Sequence, residues 1–150
     1  MTKSVKPIPD GYHSVTPYLV VPGVAKLIEF LKEVFQAKEI ERFAAPDGTI
    51  MHAEVRIGDS VVMMGEPPRN GQPWQKPMPA TVHVYVNDVD AAYQRAIQLG
   101  AISLREPADQ FYGDRSGGVQ DASGNQWWIS THIEDVSPEE LRKRAQAAAH

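Results

Sequence analysis

Cysteine is absent from the 150 residues, which excludes disulfides, thiolate catalysis and cysteine-ligated metals. An excess of positive charge is also missing. The formal net charge of -4 and the lack of any basic run leave no phosphate-binding stripe, so neither nucleic acid nor acidic lipid is expected as a partner. No apolar run approaches the roughly 20 residues that cross a bilayer. Met1 to Asp10 is polar and proline-punctuated, without the apolar core of a signal peptide, and a cytoplasmic location is expected. What remains, 42% hydrophobic and 23% charged, describes a globular chain long enough for one domain or two small fused modules.

The order of elements favours two modules. His13 to Val21 is strand-like, but Pro17 cannot donate to a ladder, which places that strand at an edge or makes it irregular there. Gly23 opens a helix whose stripe of Val24, Leu27, Ile28, Leu31, Val34 and Phe35 recurs at spacings of three and four. Glu39 to Phe43 reads as a strand, Pro46-Asp47-Gly48 as a hairpin turn, and Ile50 to Ile57 as an alternating strand. In that alternation Met51, Ala53, Val55 and Ile57 face the helix, and His52, Glu54 and Arg56 face away. Gly58-Asp59 turns into the strand Ser60 to Met64. The run Glu66 to Pro79, rich in proline, then serves as a linker or lid.

The pattern repeats. Ala80 to Val86 is a strand with Val82, Val84 and Val86 on one face and Thr81, His83 and Tyr85 on the other. Asp88 caps a helix ending at Gly100, with Val89, Ala92, Tyr93, Ala96 and Ile97 inward. Ala101 to Arg105 is a short strand, Glu106-Pro107-Ala108-Asp109 a loop, and Gln110 to Tyr112, Val119 to Asp121 and Gln126 to His132 are strands. Adjacent Trp127 and Trp128 must point to opposite faces. Ser137-Pro138-Glu139-Glu140 is a capping box that opens a surface helix. The expected layout is a lead-in over 1–13, a βαβββ module over 14–66, a linker over 67–79, a second βαβββ module over 80–134 and a helix over 135–150.

The face of each sheet turned away from its helix carries the chemistry. Thr16, Tyr18, His52 and Glu54 fall there in the first module, and Thr81, His83 and Tyr85 in the second. This mixture of aromatic and ionisable side chains suits the wall of a ligand groove, although half-exposed residues paired across strands give the same pattern. His52, His83 and Glu54 are of the types that bind zinc, nickel, iron or manganese, yet no H-x-x-x-H helix pair is present. Glu54 or Asp114 suits acid–base work, with Tyr112 or His83 as partner, and Asp114 beside Arg115 equally suits a surface salt bridge. Trp74 in the linker has three readings: closing over a ligand, covering a subunit contact, or anchoring the core.

The runs Thr16-Pro17-Tyr18-Leu19-Val20-Val21, Tyr85-Val86-Asn87-Asp88-Val89-Asp90-Ala91 and Tyr112-Gly113-Asp114-Arg115, the last continuing to Asp121-Ala122-Ser123-Gly124-Asn125-Gln126-Trp127-Trp128, resemble the vicinal oxygen chelate superfamily. That superfamily includes glyoxalase I, the bleomycin-resistance proteins and extradiol dioxygenases, and the chain looks closest to its PhnB-like branch. The resemblance implies an α+β fold in which paired βαβββ modules form curved mixed sheets around a cavity, in a homodimer. Its metal enzymes take one ligand from each first and last strand. Carried onto this chain, those positions hold Thr16, Met63, Thr81 and Trp128, none a usual hard-metal ligand. Bleomycin-resistance members resemble the chain in lacking those ligands. The expectation is therefore a homodimeric small-molecule-binding protein with no metal and no cofactor. Its groove would be lined by Thr16, Tyr18, His52, Glu54, Thr81, His83, Tyr85, Tyr112 and Trp128. Two other readings stand beside it. One is a lyase, isomerase or oxygenase using a displaced His52/His83 metal site or a metal-free base such as Glu54 or His83; the other is a structural or protein-interaction module.

Overall fold

A computed structural model describes residues 4–149. The chain divides between Pro79 and Ala80 into two compact units, here modules one and two. Module one runs β1 (Tyr18–Val20), α1 (Val24–Phe35), β2 (Lys38–Ala44), β3 (Ile50–Ile57) and β4 (Ser60–Gly65). Module two runs β5 (Thr81–Tyr85), α2 (Val89–Gln98), β6 (Ile102–Asp109), β7 (Asp114–Gln120) and β8 (Gln126–His132), and is followed by α3 (Pro138–Ala148). Each module is βαβββ with a four-stranded mixed sheet, ordered β1-β4-β3-β2 and β5-β8-β7-β6. The first strand pairs parallel with the last, and the other pairs are antiparallel.

The helices assemble as their periodicity requires. All six apolar stripe residues of α1 are buried, each worth about 1.5–3 kcal/mol when fully buried. α1 lies on β3 and β2, and α2 on β7, β6 and β8. The N-terminus of α1 has Gly23 at the cap and no capping side chain of its own. Glu66, just past β4, supplies one from outside: Oε1 accepts from the backbone N–H of Gly23 and Val24, and Oε2 from that of Ile50. Thr131 near the end of β8 does the same for α2, its hydroxyl accepting from Val89 N–H. The repeat thus extends to the way each last strand caps its own helix. Both modules also insert one extra residue into the outer strand at matching places, Ile40 in β2 and Leu104 in β6.

The hairpin joining β7 to β8 explains the Asp121-to-Trp127 motif. Asp121 is buried, and its Oδ1 accepts from the N–H of Ser123 and Asn125, while Oδ2 accepts from Asn125 Nδ2 and Trp127 Nε1. Asn125 Oδ1 in turn accepts from Ala80 N–H, tying the start of β5 to the same hub. Trp127 is fully buried and Trp128 half-buried on the opposite face, as two consecutive strand residues must be.

Several expectations are corrected. β1 begins only at Tyr18, because Pro17 offers no N–H; its carbonyl still accepts from Met63 N–H. Met51 does not face the helix. β3 holds one extra residue between the pairs Phe43–His52 and Ala44–Ile50, so Ile50 turns inward and Met51 outward, 60% exposed. Residues 106–109 belong to β6, which takes up Pro107 at a register shift, and Gln110 to Tyr112 form the turn instead of a strand. Asp114 to Gly118 is strand, so β7 starts five residues before the expected Val119. The lead-in is docked where it reaches Gly11: Arg56 donates to Gly11 O, and His13 Nε2 lies 3.0 Å from Asp59 O. α3 opens on one half of the expected capping box: Ser137 Oγ accepts from Glu140 N–H, while Glu140 Oε1 accepts from Arg144 Nε.

Candidate functional site

In module one, three of the expected site residues form a single chain of hydrogen bonds. Tyr18 Oη lies 3.0 Å from His52 Nδ1, and His52 Nε2 lies 2.8 Å from Glu54 Oε2. Glu54 is only 6% exposed, and Tyr12 donates to its other oxygen, Oε1. Burial works to raise the Glu54 carboxyl, but the hydrogen bonds from Tyr12 and His52 prevail and hold it below the ordinary carboxylate range. The carboxylate raises both phenols in return. Tyr12 is pushed up chiefly by its hydrogen bond to Glu54, and Tyr18 by burial first and by the charge of Glu54 second. An ionised Glu54 can only accept, so in the neutral imidazole the His52 proton sits at Nε2, and Nδ1 accepts from Tyr18.

Beside this chain lies an open groove of about 300 Å³ with Tyr18, Val20, Met51, Gly65, Pro68 and Trp74 in its wall, and with the polar side chains of Glu66 and Gln75 also lining it. Its floor is shaped by what glycine omits. A Cβ on Gly65 would come within 2.6 Å of Met51 O and 2.9 Å of Tyr18 Oη, so only glycine lets the tyrosine hydroxyl lie there. The bulge that turns Met51 outward puts its side chain in the wall. Trp74 stands on a short 3-10 turn, Pro73–Gln75, pinned by Gln72 N–H donating to Gln75 Oε1. It is 78% exposed, which removes the core-anchor reading.

Module two presents a different face. His83 and Tyr85 lie with ring centroids 5.0 Å apart, and His83 sits opposite Trp128 in the ladder. Trp128 lies across Gly118, where a Cβ would meet the ring at 2.5 Å, and the Arg105 guanidinium stands 4.9 Å from the ring centroid. Arg105 also donates to Ser116 Oγ. Asp114 is 4% exposed and does not pair with Arg115: its Oδ2 accepts from Tyr85 Oη, and Oδ1 lies 2.8 Å from His132 Nδ1. That bond to Asp114, with a second to Asp135, raises His132, and the same carboxylate raises Tyr85. Arg115 instead pairs with Asp90 and Asp109.

Thr16 precedes β1 and turns its hydroxyl to His13 O, Thr81 is exposed at the start of β5, and Tyr112 packs edge-on against Phe111 in the β6–β7 turn. The structure therefore gathers Tyr18, His52 and Glu54 in one module and His83, Tyr85 and Trp128 in the other. Tyr12, Met51, Gly65, Arg105 and His132 were not expected at either face. Only the Pro46-Asp47-Gly48 turn just before β3 hinted at the displacement of Met51.

A residue profile of the Glyoxalase/Bleomycin resistance protein/Dioxygenase superfamily matches residues 11–129. The chain belongs to that superfamily. An uncharacterized protein of Mycobacterium bovis is 35% identical over 136 residues, covering 86% of this chain and 90% of that protein. Among solved structures, TioX from Micromonospora sp. ML1 is similar at 27% identity with a TM-score of 0.63, over 79% of this chain and 96% of TioX. TnmS3, an antibiotic binding protein from Streptomyces sp. CB03234, shares the fold at 18% identity and a TM-score of 0.62, over 80% of this chain and 95% of that one.

The metal that some members of the superfamily use does not fit the donors here. Register pairs Met63 with Tyr18 and Trp128 with His83, so the implied set of Thr16, Met63, Thr81 and Trp128 includes a thioether and an indole and does not form rows. His52 is engaged on both ring nitrogens by Tyr18 and Glu54. Among the described residues no group of three or more His, Cys, Asp or Glu converges as a metal site. No described helix is long and apolar enough to cross a membrane.

Proposed function

We propose that this protein binds a small organic molecule without a metal, in the module-one groove between Tyr18 and Trp74. The observation that carries this reading is the pairing of that groove with a hydrogen-bonded His52–Glu54 unit, its carboxylate buried, that meets the groove through the Tyr18 hydroxyl. Tyr18, Trp74 and Met51 supply flat or adaptable apolar contact, and the hydroxyl fixes orientation. TnmS3, an antibiotic binding protein of the same fold, suggests the first ligand panel. Two further readings belong with this one. The PhnB-like branch rests on the motif runs alone, and a homodimer is supported by apolar side chains exposed along both outer strands, Ile40, Phe43, Ile102 and Leu104.

The test is a thermal-shift screen of aromatic natural products and antibiotics, followed by calorimetry on the hits. Trp74→Ala and Tyr18→Ala should each weaken a hit about tenfold or more, the loss of roughly 1.4 kcal/mol or more of contact. Unchanged affinity in both, with the fold intact, overturns the assignment. So does stoichiometric nickel, zinc, iron or manganese in protein purified without chelator.

A further inference from the structure

Tyr18 is the one member of the hydrogen-bonded chain that also lines the groove, and everything behind it is occupied. His52 Nε2 is held by Glu54, Glu54 Oε1 is held by Tyr12, and the Tyr18 hydroxyl, 3.0 Å from His52 Nδ1, donates to it when the imidazole is neutral. The oxygen of Tyr18 therefore offers the groove lone pairs rather than a donor. A ligand that meets it must bring a hydrogen, and the hydrogen has somewhere to go.

We propose that the module-one groove takes a ligand with a weakly acidic hydroxyl, a phenol or an enol, and draws its proton through Tyr18 into His52. This rests on the binding reading above and adds an activity to it. The ligand O–H bond breaks as its proton joins Tyr18 Oη, while the proton already on Oη moves to His52 Nδ1. The electron pair of the broken bond stays on the ligand oxygen, which becomes an oxyanion. Tyr18 ends neutral, donating its new hydrogen to that oxyanion and accepting from His52 Nδ1. His52 ends as a cation with Nε2–H still directed at the Glu54 carboxylate. One negative and one positive charge appear, no redox partner is needed, and every group keeps a hydrogen-bond partner.

The carboxylate nearest the step in the groove wall, Glu66, already accepts from the backbone N–H of Gly23, Val24 and Ile50. The groups facing the His52–Glu54 pair are Tyr18 from β1, Phe43 from β2, and Tyr12 from the lead-in, with Glu41 and Arg56 acting on Tyr12 in opposite senses. The Gly65 floor holds the Tyr18 hydroxyl at the groove by leaving room for it. Tyr18 is the catalytic residue in this scheme; His52 receives the proton, and Glu54 and Tyr12 are positioning residues.

The test uses para-nitrophenol, whose neutral and anionic forms differ in visible absorbance, with the full chain at a pH below the probe's own pKa. The bound probe should show a phenolate-to-phenol ratio at least about tenfold above that of free probe, one pKa unit. Tyr18→Phe, which removes one oxygen and keeps the ring, should return the ratio to the free value while calorimetry still detects binding. His52→Gln should do the same, with thermal unfolding confirming that both variants are folded. Probe bound wholly as the neutral phenol overturns the relay and leaves the binding reading standing. A phenolate signal that survives Tyr18→Phe also overturns it and assigns the anion to another cation, with Arg105 the first to substitute. Failure to bind para-nitrophenol at all rejects phenols as the ligand class, and the ligand panel then judges the binding reading alone.

Discussion

The two modules share strand order, helix capping and an outer-strand bulge, yet one row across each sheet has been filled in opposite ways. In module one the register row is Tyr18, Met63, Glu54 and Glu41; in module two it is His83, Trp128, Gly118 and Arg105. The first row has a buried carboxylate whose charge is stabilised by a tyrosine and a histidine. The second replaces that carboxylate with a glycine, lays an indole over it and places a guanidinium on the indole. The same backbone thus serves an acid–base network in one half and a cation–aromatic stack in the other. The lesson is that the repeat sets positions, and the residue at each position sets the chemistry.

The two modules should differ most in the response of their last hairpins. Asp121→Ala removes the acceptor for four donors in module two, two of them on the buried side chains of Asn125 and Trp127, and should cost about 3–5 kcal/mol in denaturant unfolding. The matching turn of module one hangs on no such hub, and Asp59→Ala, at an exposed position, should stay within about 0.5 kcal/mol. Equal effects would mean that the Asp121 hub does not hold its hairpin as described.

The next contrast is in pH. The folded Glu54 carboxyl lies below its unfolded value, so its contribution is present above the ordinary carboxylate pKa of about 4.3 and is lost as pH falls through the folded value. His132 is raised, so its contribution is complete below the ordinary imidazole pKa of about 6.5 and fades as pH rises through the folded one. Stability of wild type minus Glu54→Gln should therefore shrink toward acid. Wild type minus His132→Gln should shrink toward alkali, and by less, because that side chain is half exposed. Unfolding curves across the pH range check both signs.

Smaller effects refine the second row. Gly118→Ala places a methyl where the Trp128 ring lies, so the ring must move off the strand and its fluorescence should change while the fold persists. The smallest effect belongs to Ser130, whose buried hydroxyl has no hydrogen-bond partner among the described residues. Ser130→Ala should leave stability unchanged or raise it by up to about 1 kcal/mol, since an unpaired buried hydroxyl is a cost and not a contact. A marked loss would reveal a partner for it.

Most of the architecture was legible because periodicity and turn chemistry are local. The α1 stripe, the Asp88 and Ser137 caps and the opposed tryptophans all follow from residues within a few positions of one another. Errors cluster where a register shift intervened. One extra residue in β3 exchanged the roles of Ile50 and Met51, and a shift in β6 let a strand continue through Pro107. Half of the candidate site was visible as alternation, which put Tyr18, His52 and Glu54 on one face. Tyr12 was hidden because its bond to Glu54 crosses 42 residues from a segment with no pattern of its own. Asp114 drew attention, but its partners Tyr85 and His132 come from two other strands, a pairing that only the folded register brings about.

Module one, not module two, is the half we propose receives the ligand. Crystals soaked in a cocktail of small aromatic fragments, phenols among them, test it most directly. Density should appear between Tyr18 and Trp74 with a polar atom on the Tyr18 hydroxyl; density confined to Trp128 and Arg105 would place the ligand in module two instead.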